Sequence, residues 1–530
     1  MQRIIKMFIL IINIRGVSLQ YKIVDDFNQN NYHNVGVYLV VSDWDDWFTF
    51  KTTYIAWFSY DNKTLPIYLG GIKIGDSIDS KPRPEIPKEF TQLSNGIFSL
   101  GTDESYYIEL NTTVANNYRE EILNGLNDIA YSEDHFNIAK NTYVFTRSLS
   151  RDVPVSSIKG RYRRLANGDA TLTNYNFSYS TKHIPSTINA IELDFKVTQD
   201  DLPPSNIHTI IGRNGVGKSF LLSSMIKSLV SNEEGFELKD EDFNDSSFSN
   251  LLSVNFSSFE KNEIFKNNSN PKNGIIYHHI GSTMYVNKKN EMTTESSSIL
   301  KNLNADDMDN IFYESITECI SKKPKRWAEC IALLNSDPVF ENIGVVNLIH
   351  NYRTTSMNDY KDQVIKVFEK LSSGHKIVLL TLCKLIELSE EKALIILDEP
   401  EMHLHPPLLG SFIRSISYLL KKVNGVAIIA THSPIVLQEV PNNCVWILDR
   451  NNNVMKVYRP EMETFGENIA SLTREVFQYE VTNSGFHRLL KDSVEKGLSY
   501  EEVVKQFNDR LGTGALGILR VLLSTKGSED

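Results

Sequence analysis

The sequence predicts an α/β fold built on a mostly parallel sheet, and three observations carry that prediction. Ile207–Ile211 is a mostly apolar run of strand length, while Ala393–Leu397 and Val426–Ala430 are apolar throughout. Phe220–Leu229 and Leu408–Lys421, which follow the first two, have helical spacing. Strands without a polar face that alternate with helices belong to a parallel sheet covered on both faces. At 530 residues the chain is too long for one ordinary core, so two or three substructures are expected.

Taken in order, the elements fill out that plan. Met1–Arg15 contains a short apolar run, Met7–Ile12, with no small-residue cleavage site after it. It reads as a first strand, or as residues upstream of the true start, rather than as a signal peptide. Val37–Tyr60 is rich in aromatics and threonine and predicts a pair of strands, with Ile67–Gly75 adding another. Tyr106–Tyr131 predicts one helix, with Leu110, Val114, Tyr118, Ile122 and Leu126 spaced at fours. Gly168–Tyr179 has strand-like alternation. Ser231–Lys272 reads as a solvated excursion around the apolar Leu251–Phe256, and Asn304–Val346 and Val364–Ser389 as helical. From Glu461 onward the chain reads as helical and polar. The resulting division is 1–185, a β-rich region with helices that contributes to the first lobe of the core; 186–460, the core, with an insertion at about 257–360; and 461–530, a helical region suited to a partner.

Composition narrows the function classes. Apolar residues make up 41 % and charged residues 23 %, as in soluble globular chains. A net charge of −11 argues against a chain built mainly to coat nucleic acid. No segment approaches the roughly 18 apolar residues a membrane span needs. Cys319, Cys330, Cys383 and Cys444 show no metal-site spacing and read as reduced thiols of a cytoplasmic protein.

Two motifs carry chemistry. Gly212–Ser219 reads G-R-N-G-V-G-K-S, a phosphate-binding loop between a strand and a helix. Its glycines, Gly215 and Gly217 among them, let backbone N–H groups face one concavity with Asn214 and Phe220 at its rim. Lys218 reaches the β- and γ-phosphates of ATP, Ser219 helps to hold Mg²⁺, and the helix adds its positive end. The second motif, Leu394–Pro400, is an apolar strand ending in Asp398 and Glu399. Asp398 suits the Mg²⁺ shell, and Glu399 suits the orientation or deprotonation of an attacking water.

Leu371-Ser372-Ser373-Gly374-His375 precedes a helix ahead of this strand, and Thr431-His432-Ser433-Pro434 follows the next one. With these segments in place the sequence resembles the ABC-type ATPases, whose order is phosphate loop, L-S-G-G-Q signature, Asp-Glu strand and switch histidine. The resemblance implies an ABC-type P-loop ATPase head: a mostly parallel core, an antiparallel β-rich subdomain, a helical insertion and a helical tail. It implies that Ser372 and Gly374 contact the γ-phosphate held by a second subunit in a head-to-tail homodimer, and that His432 senses that phosphate beside Glu399. The signature reads S-S-G-H here, and Ser257 and Ser258 stand where the family's metal-binding glutamine is expected.

Asp398–Pro406 reads D-E-P-E-M-H-L-H-P, unlike the D-E-P-T-x-x-L-D of transporter ATPases. It resembles the soluble overcoming-lysogenization-defect and RecF-like groups. His403 and His405 are read on that loop as dimer-interface residues, with metal binding as the alternative. The tail has no carboxylate cluster after an apolar strand of the kind a Toprim nuclease needs. Ser42–Phe50, Phe98–Tyr107, Arg147–Gly160 and Glu463–Phe486 extend the resemblance to the ATPase subunit of Septu-type antiphage systems (PtuA-like), including those attached to retrons. That resemblance implies a separate HNH endonuclease partner, leaves DNA or a retron's reverse transcriptase and msDNA open as others, and implies no membrane partner. The rival readings are a DNA-repair ATPase of the RecF or chromosome-maintenance kind and a transporter energiser. The Trp44–Phe58 stripe reads as sheet core or a base-stacking platform; Lys159–Arg164 and Lys322–Arg326 read as solvated loops or phosphate contacts.

Overall fold

The computed structural model describes residues 19–25, 35–42, 49–60, 64–78, 81–151, 153, 155–168, 174–181, 190–198, 201–239, 248–256, 265–268, 275–289, 296–402, 404–483 and 485–526. Residues 1–15, Trp44, Trp47, Ser257, Ser258 and His403, all singled out in the sequence, lie outside them.

The first sheet joins β1 (Tyr21–Val24), β2 (Gly36–Val41), β3 (Thr53–Ser59), β4 (Ile67–Asp76), β5 (Glu89–Phe90) and β6 (Ile97–Gly101) in the order β5-β1-β2-β3-β4-β6. Only the β1–β2 pair is parallel. Its inward face, with Tyr54, Ala56 and Phe58, packs on following helices in a core of its own spanning Leu19 to Ala166. The sheet-core reading of the aromatic stripe therefore holds for Phe50, Tyr54 and Phe58, whereas Trp57 lies on the other face, edge-on to Tyr68.

The predicted long helix is two: α1 (Glu104–Thr113) and a second over Asn116–Gly125. Val114 and Ala115 are extended between them. The Tyr60 hydroxyl sits at the break, donating to Thr113 O at 3.0 Å and accepting from Ala115 N at 2.8 Å. A tertiary partner thus satisfies the backbone groups that a continuous helix would have paired.

The second half is the α/β head. β7 (Tyr175–Thr181), β8 (Ile191–Val197) and β10 (Phe236–Leu238) make a small antiparallel sheet. The central sheet joins β9 (Ile207–Gly212), β11 (Asn250–Asn255), β12 (Ile276–Gly281), β15 (Ala393–Asp398), β16 (Val426–Thr431), β17 (Val445–Asn451) and β18 (Val454–Tyr458) in the order β12-β11-β15-β16-β9-β17-β18. All neighbours are parallel except β17–β18. Alternate residues enter two cores. Ile395, Leu397, Ala427 and Ile429 face the helices, while Leu394, Ile396, Val426 and Ile428 face the small sheet and α2 (Lys218–Val230).

Two pairings cross the divisions drawn from the sequence. Residue 185 falls between β7 and β8, which pair with each other, so one sheet takes strands from both sides of it. The expected insertion contains β12, an edge strand of the central sheet, and the antiparallel pair β13 (Thr283–Lys289) and β14 (Ser296–Asn302) before it becomes helical. The helices are α3 (Ala305–Lys322), α4 (Pro324–Ala332) and α5 (Pro338–Ile343), then Met357–Glu369 and α6 (Ser373–Leu388). α7 (Pro406–Lys422) covers the same face as α6. The C-terminal helices pack around Leu490, Val494, Val503 and Leu519.

The basic run Lys159–Arg164 is not a solvated loop. It is helical, and its arginines are ion-paired within the protein. Arg161 and Arg326 flank the buried Glu104, with Arg161 Nε 3.5 Å and Arg326 Nε 3.3 Å from its carboxylate oxygens. Arg164 pairs with Glu391 at 3.0 Å, and Arg163 with Glu133. Burial would raise the Glu104 pKa, but the Arg326 and Arg161 guanidiniums outweigh it and hold it at about 2.

Candidate active site

The phosphate loop connects β9 to α2 across Arg213–Gly217. Gly212 lies against the neighbouring strand, where an added Cβ would meet Leu448 O at 2.2 Å. Gly215 and Gly217 have φ of +78° and +107°, left-handed conformations that side chains disfavour. A Cβ on Gly215 would meet nothing within 4 Å, so its backbone borders open space. Lys218 is buried, and its ammonium donates to Gly212 O at 3.0 Å and Arg213 O at 3.1 Å, drawn over the loop's own carbonyls. Asn214 is exposed, and Phe220 is partly exposed on the first turn of α2.

Strand order brings the second motif to the loop. β15 does not neighbour β9; β16 lies between them. Asp398, ending β15, accepts from Ser219 Oγ at 3.3 Å. Its other oxygen accepts from Asn255 Nδ2 at 3.5 Å, at the end of β11. The next residue, Glu399, turns the chain with φ +47°, and its N–H donates to Ala430 O at 2.9 Å. Such a backbone is uncommon outside glycine and is held here by the parallel neighbour. His432 follows β16, with Nδ1 3.6 Å from Glu399 Oε1.

Glu401 organises this corner, a role the sequence reading did not assign. Its Oε1 accepts from Thr431 Oγ1 at 2.6 Å and His432 N at 2.7 Å, and lies 3.1 Å from His432 Nδ1. The available signal was the glutamate of D-E-P-E standing where transporter ATPases carry threonine.

Lys218, Ser219, Asp398, Glu399 and His432 therefore share one end of the central sheet. Ser372 and Gly374 are not bonded into this cluster. Ser372 caps α6, and its hydroxyl lies 2.6 Å from His375 Nδ1; among the described residues no hydrogen bond or ion pair joins either of them to the loop or to the carboxylates. The donor set fits the groups such a loop serves: backbone and ammonium for phosphate, and Ser219 with Asp398 for Mg²⁺.

Comparisons with known proteins agree with the ATPase reading. A family model described as an AAA domain, putative AbiEii toxin, type IV TA system, matches residues 287–438. That span carries Ser372, Asp398, Glu399 and His432. The thiamine import ATP-binding protein ThiQ of Photobacterium profundum is 28% identical over 142 residues, 24% of this chain and 55% of that protein. Among solved structures, a putative metal-chelate type ABC transporter is 15% identical over 58% of this chain and 90% of that one, with a TM-score of 0.29. The SMC head domain from Thermotoga maritima is 14% identical over 55% of this chain and 100% of that one, with a TM-score of 0.26. At such scores the fold rests on this chain's own strand order. A much longer match is to protein ea59 of Escherichia phage lambda, 34% identical over 514 residues, 92% of this chain and 95% of that protein. Sharing both the ATPase head and nearly all of the sequence around it, the chain belongs to the family of protein ea59.

Proposed function

We propose that this chain is an ATP-hydrolysing subunit that dimerises head to tail around two ATP molecules and, in the cytoplasm, governs a separate HNH-type nuclease in defence against phage. The observation that carries the dimer is the split of the site. One chain gathers the loop, Asp398, Glu399 and His432, yet leaves Ser372 and Gly374 outside it. A helix N-terminus bearing a hydroxyl is a good anion donor, so a second copy could supply it across the phosphate.

In this reading Lys218 exchanges its carbonyl partners for phosphate oxygens, and the loop amides hold the β-phosphate. Glu399 takes or orients the proton of the attacking water, while Glu401 fixes His432 to contact the γ-phosphate. Ser219 and Asp398 would hold Mg²⁺, which would supply charge neutralisation on the phosphates. The nuclease partner rests on the sequence resemblance of Ser42–Phe50, Phe98–Tyr107, Arg147–Gly160 and Glu463–Phe486 to the ATPase subunit of antiphage systems.

Mutant complementation tests the composite site. Lys218→Ala and Ser372→Arg should each abolish turnover alone. Mixed in equal amounts they should regain a substantial fraction of wild-type ATPase, since each mixed dimer holds one intact site of two. A mixture as inactive as its parts would rule out sites shared between subunits. For the partner, a small HNH open reading frame beside the gene is expected to co-purify with this chain. A neighbourhood of membrane-protein genes would overturn the nuclease assignment and leave the dimer standing.

A further inference from the structure

Three side chains far apart in sequence converge beside the signature turn. Asp337 is the N-cap of α5, and its Oδ1 accepts from Val339 N at 2.8 Å. His375 is the third residue of α6, and His405 is the N-cap of α7. His375 Nε2 lies 3.3 Å from Asp337 Oδ1, and His405 Nε2 lies 3.2 Å from Asp337 Oδ2. All three potential ligand atoms fall within 4.8 Å of one another. Asp337 and His375 are buried, whereas half of the His405 side chain is exposed.

We propose that Asp337, His375 and His405 bind a divalent transition ion of the zinc type. Ligands about 2.0–2.1 Å from a tetrahedral ion stand roughly 3.3 Å apart, and each Nε2 lies 3.3 or 3.2 Å from one or the other Asp337 oxygen, so a small shift within the 4.8 Å cluster brings all three onto one ion. Two imidazoles and one carboxylate select zinc or cobalt over Mg²⁺ and Ca²⁺, which take oxygen ligands. Three protein ligands leave the fourth position to water, and the exposed His405 side chain provides an entry path. The Ser372 hydroxyl, 2.6 Å from His375 Nδ1, is the outer-shell partner that orients a metal-bound imidazole.

Binding through both Nε2 atoms places each imidazole proton on Nδ1. For His405 this gives up the long 3.4 Å bond from Leu408 N. For His375 it makes Ser372 an acceptor, releasing the serine's own proton for another oxygen. The ion site does not depend on the nucleotide reading; only the consequence for a γ-phosphate rests on the composite site proposed above.

The test uses untagged full-length protein, stripped with chelator and titrated with Co²⁺ in the presence of Mg²⁺. One equivalent should bind with the visible absorption of four-coordinate Co²⁺, and Zn²⁺ should bleach it. His405→Ala should abolish that spectrum. Asp337→Asn, which keeps a good helix cap, should do the same without unfolding the protein. Ser372→Ala should bind about 10–100-fold more weakly with the spectrum retained. No saturable binding, or an unchanged spectrum and affinity in His405→Ala, would overturn the assignment. Either result is independent of whether ATP drives dimerisation.

Discussion

Glu401 illustrates how one carboxylate can set a catalytic corner without touching substrate. Its Oε1 accepts from both the Thr431 hydroxyl and the His432 amide, so it holds His432 through the backbone. Hydrogen bonds to a charged group contribute about 1.5–3 kcal/mol each. Glu401→Ala is expected to lower kcat about 10–100-fold with ATP affinity unchanged, and Glu401→Gln to recover part of it. Equal losses in kcat and ATP affinity would mark general damage instead. His208 acts on stability. Burial, helped by the nearby Arg459 guanidinium, pushes its imidazole down to about 3. Below the ordinary pKa of about 6.5 the unfolded chain takes a proton that the folded one refuses, so stability falls with pH between about 6.5 and 3. His208→Phe should therefore shift the acid unfolding midpoint to lower pH. A midpoint that stays put, read by tryptophan fluorescence, would show that other groups control it. The catalytic residue types were readable from motif spacing, but Glu401's partners were not, because they depend on β15 and β16 being neighbours.

Among elements, breaks carry more information than helices. Spacing at fours predicts one helix across Val114, and only Tyr60, more than fifty residues away in sequence, shows why it stops. The break at Leu371–Ser372 is different, because small polar residues ahead of an apolar run are a local cap signal. The contact between the N-terminal unit and the head includes α1 and α4, joined through Glu104, Arg161 and Arg326, and the pair Arg164–Glu391. Charge runs in sequence cannot reveal this, since a basic stretch looks the same whether its partners are water or a distant glutamate. Glu104→Ala leaves two buried guanidiniums without their carboxylate and should cost about 3–5 kcal/mol, measured by urea denaturation. Its stabilising contribution is present above the ordinary carboxylate range and is lost only as pH falls through about 2. A cost under about 1 kcal/mol would place the pair among weak surface bridges.

For the whole molecule, the feature that matters is that the loop, Asp398, Glu399 and His432 meet at one end of the central sheet while Ser372 bonds to His375 instead; in the function proposed above these are the two parts of one ATP site. With Mg²⁺ and ATP, Glu399→Gln should sediment as a dimer and hydrolyse little, whereas Lys218→Ala should remain monomeric. A monomeric Glu399→Gln at saturating ATP would refute nucleotide-driven assembly. The proposed ion site lies under Ser372, so nucleotide and metal would meet on the same turn.

The sequence by itself determined the α/β head and the residue types of its chemistry, because phosphate loops and Asp-Glu strand ends are local patterns. Covered strands are also local patterns, written as unbroken apolar runs. Only the tertiary structure decided which strands are neighbours, which arginines are buried, and how Asp337 comes to lie between His375 and His405. Those outcomes depend on contacts between residues tens to hundreds of positions apart, which no local pattern encodes.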